Sequence, residues 1–206
     1  MKIQKIGGLA SIVLGCILAI YVVLVLLGVF QSVGWEDPVK ALEAAASTSP
    51  VTQFISHLLS VIGGITVVLI VLAVRDRMLN MAPNLMRIVV IGGSIGGALW
   101  LAATFAEIAG VPAILNAKDA SAFMAVRALT DGLLGASEFA LGWALLLIAC
   151  VALKHRDLTK MLCYVLALKG AVMIVTFGVS ALQTAGAVLG IISYPWLGIM
   201  LLRNKS

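Results

Sequence analysis

Five ionisable residues stand inside apolar stretches of this chain: His57, Glu107, Asp131, Glu138 and Lys169. A charge near the centre of a bilayer costs roughly 2.5–3.5 kcal/mol on insertion scales, so such groups turn inward and find partners. Helix rise orders them by depth. Lys169 lies about nine residues from Lys160, roughly 14 Å from the edge of its segment. Glu138 and His57 lie further toward the opposite side, and Glu107 is near that surface. The expected arrangement brings Glu138 and Lys169 together, with His57 close by, in an outward-facing polar cavity. The chemistry open to that set is ligand binding or proton carriage, with Glu138 as the carrier. A lateral convergence of Glu107, Asp131 and His57 would instead fit an enzyme acting on lipid or quinone. A polar seam with no ligand is the plainer alternative.

Other chemistries find no residues to carry them. His57 and His155 belong to opposite sides of the membrane and do not pair on one haem. The chain has no HExxH, no CxxC and no clustered His/Asp set, so no zinc site is expected. GGSIGG at 92–97 sits within an apolar helix rather than after a strand, which is not the setting of a phosphate loop. Ser56 and His57 are neighbours on a helix and point apart. No cofactor is expected. Cys16, Cys150 and Cys163 all fall in apolar segments and read as small packing residues.

The elements that must position these groups are membrane helices. Of 206 residues, 62% are hydrophobic and 11% charged, against roughly 25% charged in a soluble domain. Six spans are expected, at about 6–30, 51–74, 87–110, 132–153, 161–180 and 183–202, each near the roughly 20 residues needed to cross the hydrocarbon. The first run is too long for a secretory leader and reads as a retained helix. Lys2, Lys5, Arg75, Arg77, Arg87, Lys154, Arg156, Lys160, Arg203 and Lys205 form patches that alternate along the chain with acidic ones. Basic loops stay cytoplasmic, so both termini are expected inside. The net charge of +5 is spread over membrane edges, which argues against nucleic acid and for contact with membrane lipids.

Small and polar residues recur at helical spacing on every span. Gly64, Gly93, Gly97, Gly135, Gly142, Gly186 and Gly190 are the expected packing positions, because small residues let helix backbones approach in lipid. The expected fold is an all-α bundle of six transmembrane helices forming a single domain over 1–206. Two outer segments carry more than loop character. Asp37–Ala46 starts with Asp-Pro and reads as a short helix. Ala117–Thr130 either lies in the interface plane or extends the fourth span outward. Pro112 is expected to follow the third span. MKIQKIGG at 1–8 and MRIVVIGG at 86–93 suggest a tandem helical-hairpin repeat.

The motif RIxxIGG at 87–93 and the ending GIISYPWLGIMLLR at 190–203 resemble small multi-pass bacterial membrane proteins classed as domains of unknown function. The resemblance implies a bacterial cytoplasmic membrane and about six helices, and it carries over no functional residue. Short loops and few motifs favour a non-catalytic membrane protein that assembles with itself or with other membrane subunits. The alternative is a small-solute or proton-coupled transporter, or a ligand-binding protein, that uses the outer-half polar cavity.

Overall fold

Proline and short polar side chains divide the chain into helices. In the structure, a computed structural model, residues 3–27, 37–176 and 183–203 are described. Among them are seven helices and no strand: α1 (Ile3–Leu26), α2 (Pro38–Ser47), α3 (Pro50–Met78), α4 (Pro83–Ala117), α5 (Ala120–His155), α6 (Lys160–Thr176) and α7 (Gln183–Leu202). Three starts are capped as their sequences require. Asp37 Oδ1 accepts from the Lys40 amide at 3.1 Å, and Ser49 Oγ accepts from the Thr52 amide at 3.1 Å. Asp119 Oδ1 takes the Ser121 and Ala122 amides, each at 3.0 Å. Each cap satisfies amides that have no partner in the first helical turn. The same bonds hold both Asp carboxyls below their ordinary value, led by the Lys40 amide for Asp37 and the Ala122 amide for Asp119.

The all-α expectation holds, and five helices (α1, α3, α4, α5 and α7) are long and apolar enough to cross a membrane. In α6, 17 residues are described. The ends of the expected first span (28–30) and fifth span (177–180) lie outside the described residues, as does most of the turn placed between spans five and six. Pro112 does not end its helix. It lies inside α4, which runs on to Ala117 and stops at Lys118 in the left-handed conformation, φ 54°. One proline removes a single amide donor, a loss that membrane helices tolerate where neighbours or side chains re-satisfy the backbone. The segment 120–130 becomes the first turns of α5, which is the extension alternative rather than the interfacial one. With 35 and 36 residues, α4 and α5 are each about 53 Å long, well beyond a hydrocarbon thickness of about 30 Å. Their surplus length meets α2, where Ala41 and Leu42 pack with Phe123.

The six long helices form a closed ring in chain order. Each of α1, α3, α4, α5, α6 and α7 packs on the next, and α7 returns to α1. Three seams are crossed by facing glycines. A Cβ on Gly198 would lie 2.6 Å from the Gly8 carbonyl oxygen, and one on Gly97 would lie 3.2 Å from that of Gly64. Gly142 and Gly170 oppose each other in the same way, at 2.7 Å. Gly93 is closed in by Val71 of α3. These approaches follow from the absence of a hydrophobic drive between helices in lipid, where close backbone packing replaces it. Outward faces carry Leu, Ile and Val, such as Leu9, Ile65, Ile91, Leu168 and Ile199.

The two ends of the ring differ. One end carries the exposed basic residues Lys5, Arg75, Arg87, Lys154, Arg156, Lys160 and Arg203. Next to it the interior is dry, filled by Val74, Met78, Met86, Leu162, Leu197 and Leu201. The other end carries α2, and His57, Glu107, Asp131 and Glu138 lie in that half.

Candidate functional site

Lys169 is the deepest of the charged groups. Its Cα lies on α6 between the dry core and the α2 half, and its side chain is 3% exposed. The chain reaches across the α6–α7 seam, where Nζ donates to the Gly186 carbonyl at 2.9 Å. It also lies over the face of Tyr194, 4.9 Å from the ring centroid, a cation–π geometry. Two glycines of α7 make this possible. A Cβ on Gly190 would stand 3.0 Å from Nζ, and Gly186 supplies the acceptor. Tyr194 is held in turn, because its carbonyl accepts from Ser11 Oγ at 2.6 Å. The next residue, Pro195, fits against Gly15 of α1. The hydroxyl of Ser193, beside Tyr194, is fully buried and has no hydrogen-bond partner among the described residues.

Glu138 projects from α5, half-buried, and Oε2 accepts from Thr176 Oγ1 at 3.0 Å. Its carboxylate is in electrostatic contact with Lys169 but does not close to a direct ion pair. The expectation that these two approach each other therefore meets a looser arrangement, in which Thr176 and the Gly186 carbonyl take the short bonds.

His57 does not join them. It lies at the α2 end, 3.9 Å from Glu107 by Nδ1 to Oε2. Glu107 is in electrostatic contact with Asp131 and Arg127 and within hydrogen-bonding reach of Thr130. Asp131 is exposed at this mouth. The five expected residues thus split into two groups, Glu138 with Lys169 inside and His57, Glu107 and Asp131 at the rim. Tyr21 of α1 lies within the electrostatic reach of Glu107, Asp131 and Glu138. Of the rim group, His57 and Glu107 border a cleft of about 180 Å³ between α2, α3, α4 and α5.

Comparison with known protein families, with curated proteins and with solved structures finds no match. The geometry therefore stands on its own.

Between rim and core, Ser60 and Thr104 share a hydrogen bond of 2.6 Å, and the Trp100 indole donates to Ser60 at 2.8 Å. Ser137 Oγ donates to the Gly96 carbonyl at 2.7 Å. These bonds close the α3–α4 and α4–α5 seams with polar groups paired, so they add no free charge to the site. Gly186 lies beside Val172 at an ordinary 3.6 Å, so its part here is its carbonyl rather than its small size.

Sequence reasoning missed the strongest polar contact. At the basic end, Arg77 Nε donates to Asp157 Oδ2 at 2.7 Å, with side chains only 7% and 1% exposed. Arg77 Nη1 also donates to the Met200 carbonyl at 2.6 Å. One guanidinium thereby ties α3, the turn after α5 and the end of α7. From sequence alone Arg77 reads as a membrane-edge charge, and Asp157 carries no assigned role. The residue types gave a signal, because Asp157 is an acid set within a basic patch. No group of three or more His, Cys, Asp or Glu able to hold a metal occurs among the described residues.

Proposed function

We propose that this protein binds a small polar solute from the α2 end and carries it across the membrane in exchange with, or together with, a proton. One observation carries the reading: Lys169 lies within the helix ring at 3% exposure, in electrostatic contact with Glu138 and bound to a backbone carbonyl. Ionisable groups inside membrane bundles are expensive and mark ion, proton or substrate paths. In a scaffold that assembles through polar seams, this pair would lie in grooves open to lipid or to other subunits. Its enclosure favours transport over assembly. Glu138 is the proton carrier, and Lys169 is the counter-charge whose partner changes when Glu138 gains or loses its proton. The paired polar mouth and dry opposite half fit a conformation open at the α2 end and sealed at the basic end.

In this reading the chain sits in a bacterial cytoplasmic membrane with six spans, α6 completing the fifth. The basic end is cytoplasmic, by the charge rule, and both termini are inside. The α1/α3 and α4/α5 hairpins are tandem copies lying side by side in the ring, related by an axis along the membrane normal.

The test is current measurement on proteoliposomes adsorbed to a solid-supported membrane. Amino acids, polyamines and carboxylic acids are applied separately under a pH gradient. At least one class is expected to give a current in the native protein that is lost in Glu138→Gln and in Lys169→Met. Absence of current with every class, or currents unchanged in both variants, overturns the reading.

A further inference from the structure

The cleft at the α2 end has a composition that narrows what it can hold. Glu107 and Arg127 both border it, from α4 and α5, with His57 and Thr130 beside them. The same two helices also give the lining apolar residues, Val111 from α4 and Phe123 and Val126 from α5. Ala45 and Thr48, at the end of α2 and just after it, complete the wall. That part of the chain is pinned to α3, because the Gln53 side-chain amide donates to the Ala45 and Thr48 carbonyls at 3.2 and 3.3 Å. This wall of the cleft is thus fixed to α3 by side-chain bonds.

Charge of both signs on one lining selects against simple ions. A lone cation drawn to Glu107 also meets the Arg127 guanidinium. A lone anion drawn to Arg127 meets Glu107 and, beyond it, Asp131. A dipolar molecule satisfies both signs at once, and its apolar part removes Val111, Phe123 and Val126 from water. The volume of about 180 Å³ equals about six waters at about 30 Å³ each, a space for a molecule of valine size.

We propose that this cleft binds a small zwitterion with an apolar side group, in chemistry an aliphatic α-amino acid. Its ammonium lies toward Glu107 and its carboxylate toward Arg127. The inference deepens the transport reading and rests on it for the solute's onward path through Glu138 and Lys169.

The experiment is equilibrium binding to the full chain in detergent micelles, by titration calorimetry, with three probes. L-valine carries both charges, isobutylamine lacks the carboxylate and isovalerate lacks the amine. Valine is expected to bind, and each truncated probe is expected to bind at least about tenfold more weakly, since each lacks one of the two charges that the lining complements. Glu107→Gln and Arg127→Gln should each remove valine binding while retaining the native circular dichroism and a single size-exclusion peak. If either variant fails to fold, Val126→Phe, which adds bulk at a partly buried position of the lining, takes its place and should also remove binding. No valine binding, binding of one truncated probe as tight as valine, or valine binding unchanged by the substitutions overturns the proposal. Valine binding without any solute-driven current would leave this site standing and sink the transport reading. Currents driven only by another solute class, without valine binding, would do the reverse.

Discussion

Removing one side of the Arg77–Asp157 contact should cost more than any other single polar change in the bundle. The side chains are 7% and 1% exposed and 2.7 Å apart, so neither charge has water to fall back on. Breaking a buried pair by deleting one partner costs about 3–5 kcal/mol, whereas an exposed pair is worth about 0–1. Arg77→Ala removes the guanidinium from the Asp157 carboxylate and also takes the donor from the Met200 carbonyl, so it belongs at the upper end of that range. Asp157→Ala leaves Arg77 its bond to Met200 and belongs at the lower end. At about 1.4 kcal/mol per factor of ten, these are losses of roughly 100-fold to 3,000-fold in the folding equilibrium. The double replacement Arg77→Met/Asp157→Leu removes both charges and should cost far less than the sum, because an apolar pair of similar volume is often neutral. The assay is unfolding in mixed micelles by increasing SDS, followed by tryptophan fluorescence and circular dichroism, with Arg77→Met and Asp157→Leu made singly so that they, the double variant and the native protein form a double-mutant cycle. Single substitutions costing under about 1 kcal/mol, or a double substitution costing the sum of the singles, would refute the argument that this contact is buried and tightly coupled.

Two further outcomes follow from the geometry. Gly142→Ala puts a methyl 2.7 Å from the Gly170 carbonyl oxygen and must part α5 from α6, so it should cost about 1–3 kcal/mol in the same SDS titration; Gly186→Ala meets only Val172 at 3.6 Å and should be neutral. The Asp119 cap gives a pH dependence. Its carboxyl is held below the ordinary 3.8 by the Ala122 and Ser121 bonds, so its contribution is present above 3.8 and lost as pH falls through the lowered folded value. Hydrogen exchange at the Ser121 and Ala122 amides should rise in that acid window in the native protein and be raised at all pH values in Asp119→Ala. Equal protection in the two proteins near neutral pH would remove the cap from the account.

Much of this architecture was legible because a bilayer restricts the choices. Apolar runs bounded by Arg, Lys and Pro became α1, α3, α4, α5 and α7, and the Asp37-Pro38 start became the capped helix α2. The stripe residues Gly64, Gly97, Gly142, Ser60 and Thr104 face seams because period alone puts them on one side of a helix. Helix ends were less legible. Pro112 was read as a boundary, but local sequence does not reveal that Val111, Ile114 and Leu115 pack against the α2–α5 cluster and draw α4 onward. Pairing between distant segments was least legible. Helix rise places Lys169, Glu138 and His57 in order toward the α2 end, yet in the structure His57 meets Glu107, whereas Glu138 meets Thr176 and Lys169 meets Gly186. Depth follows from counting residues along one helix, whereas azimuth depends on the order of helices in the ring. The same limit hid Arg77 and Asp157, which lie 80 positions apart and meet only because α3 and the α5–α6 turn reach the same end.

The placement of bonds around the ring also says where motion is cheapest. The α3, α5 and α7 ends at the basic side are tied by one guanidinium and sealed by side chains with almost no exposure. The α1–α7, α3–α4 and α5–α6 seams are closed by backbone against backbone at facing glycines. Among the described residues, α6 and α7 share the lightest seam, and what crosses it is the flexible side chain of Lys169. A change of partner for that amine, from the Gly186 carbonyl toward Glu138, alters this seam without breaking a glycine crossing or the Arg77 fork. Solute or proton movement would then be gated by the α6–α7 contact, with the other five seams acting as its frame. In that arrangement Lys169 is the natural place for the coupling, because its side chain bonds to one of the two helices that must part and feels the charge borne by α5.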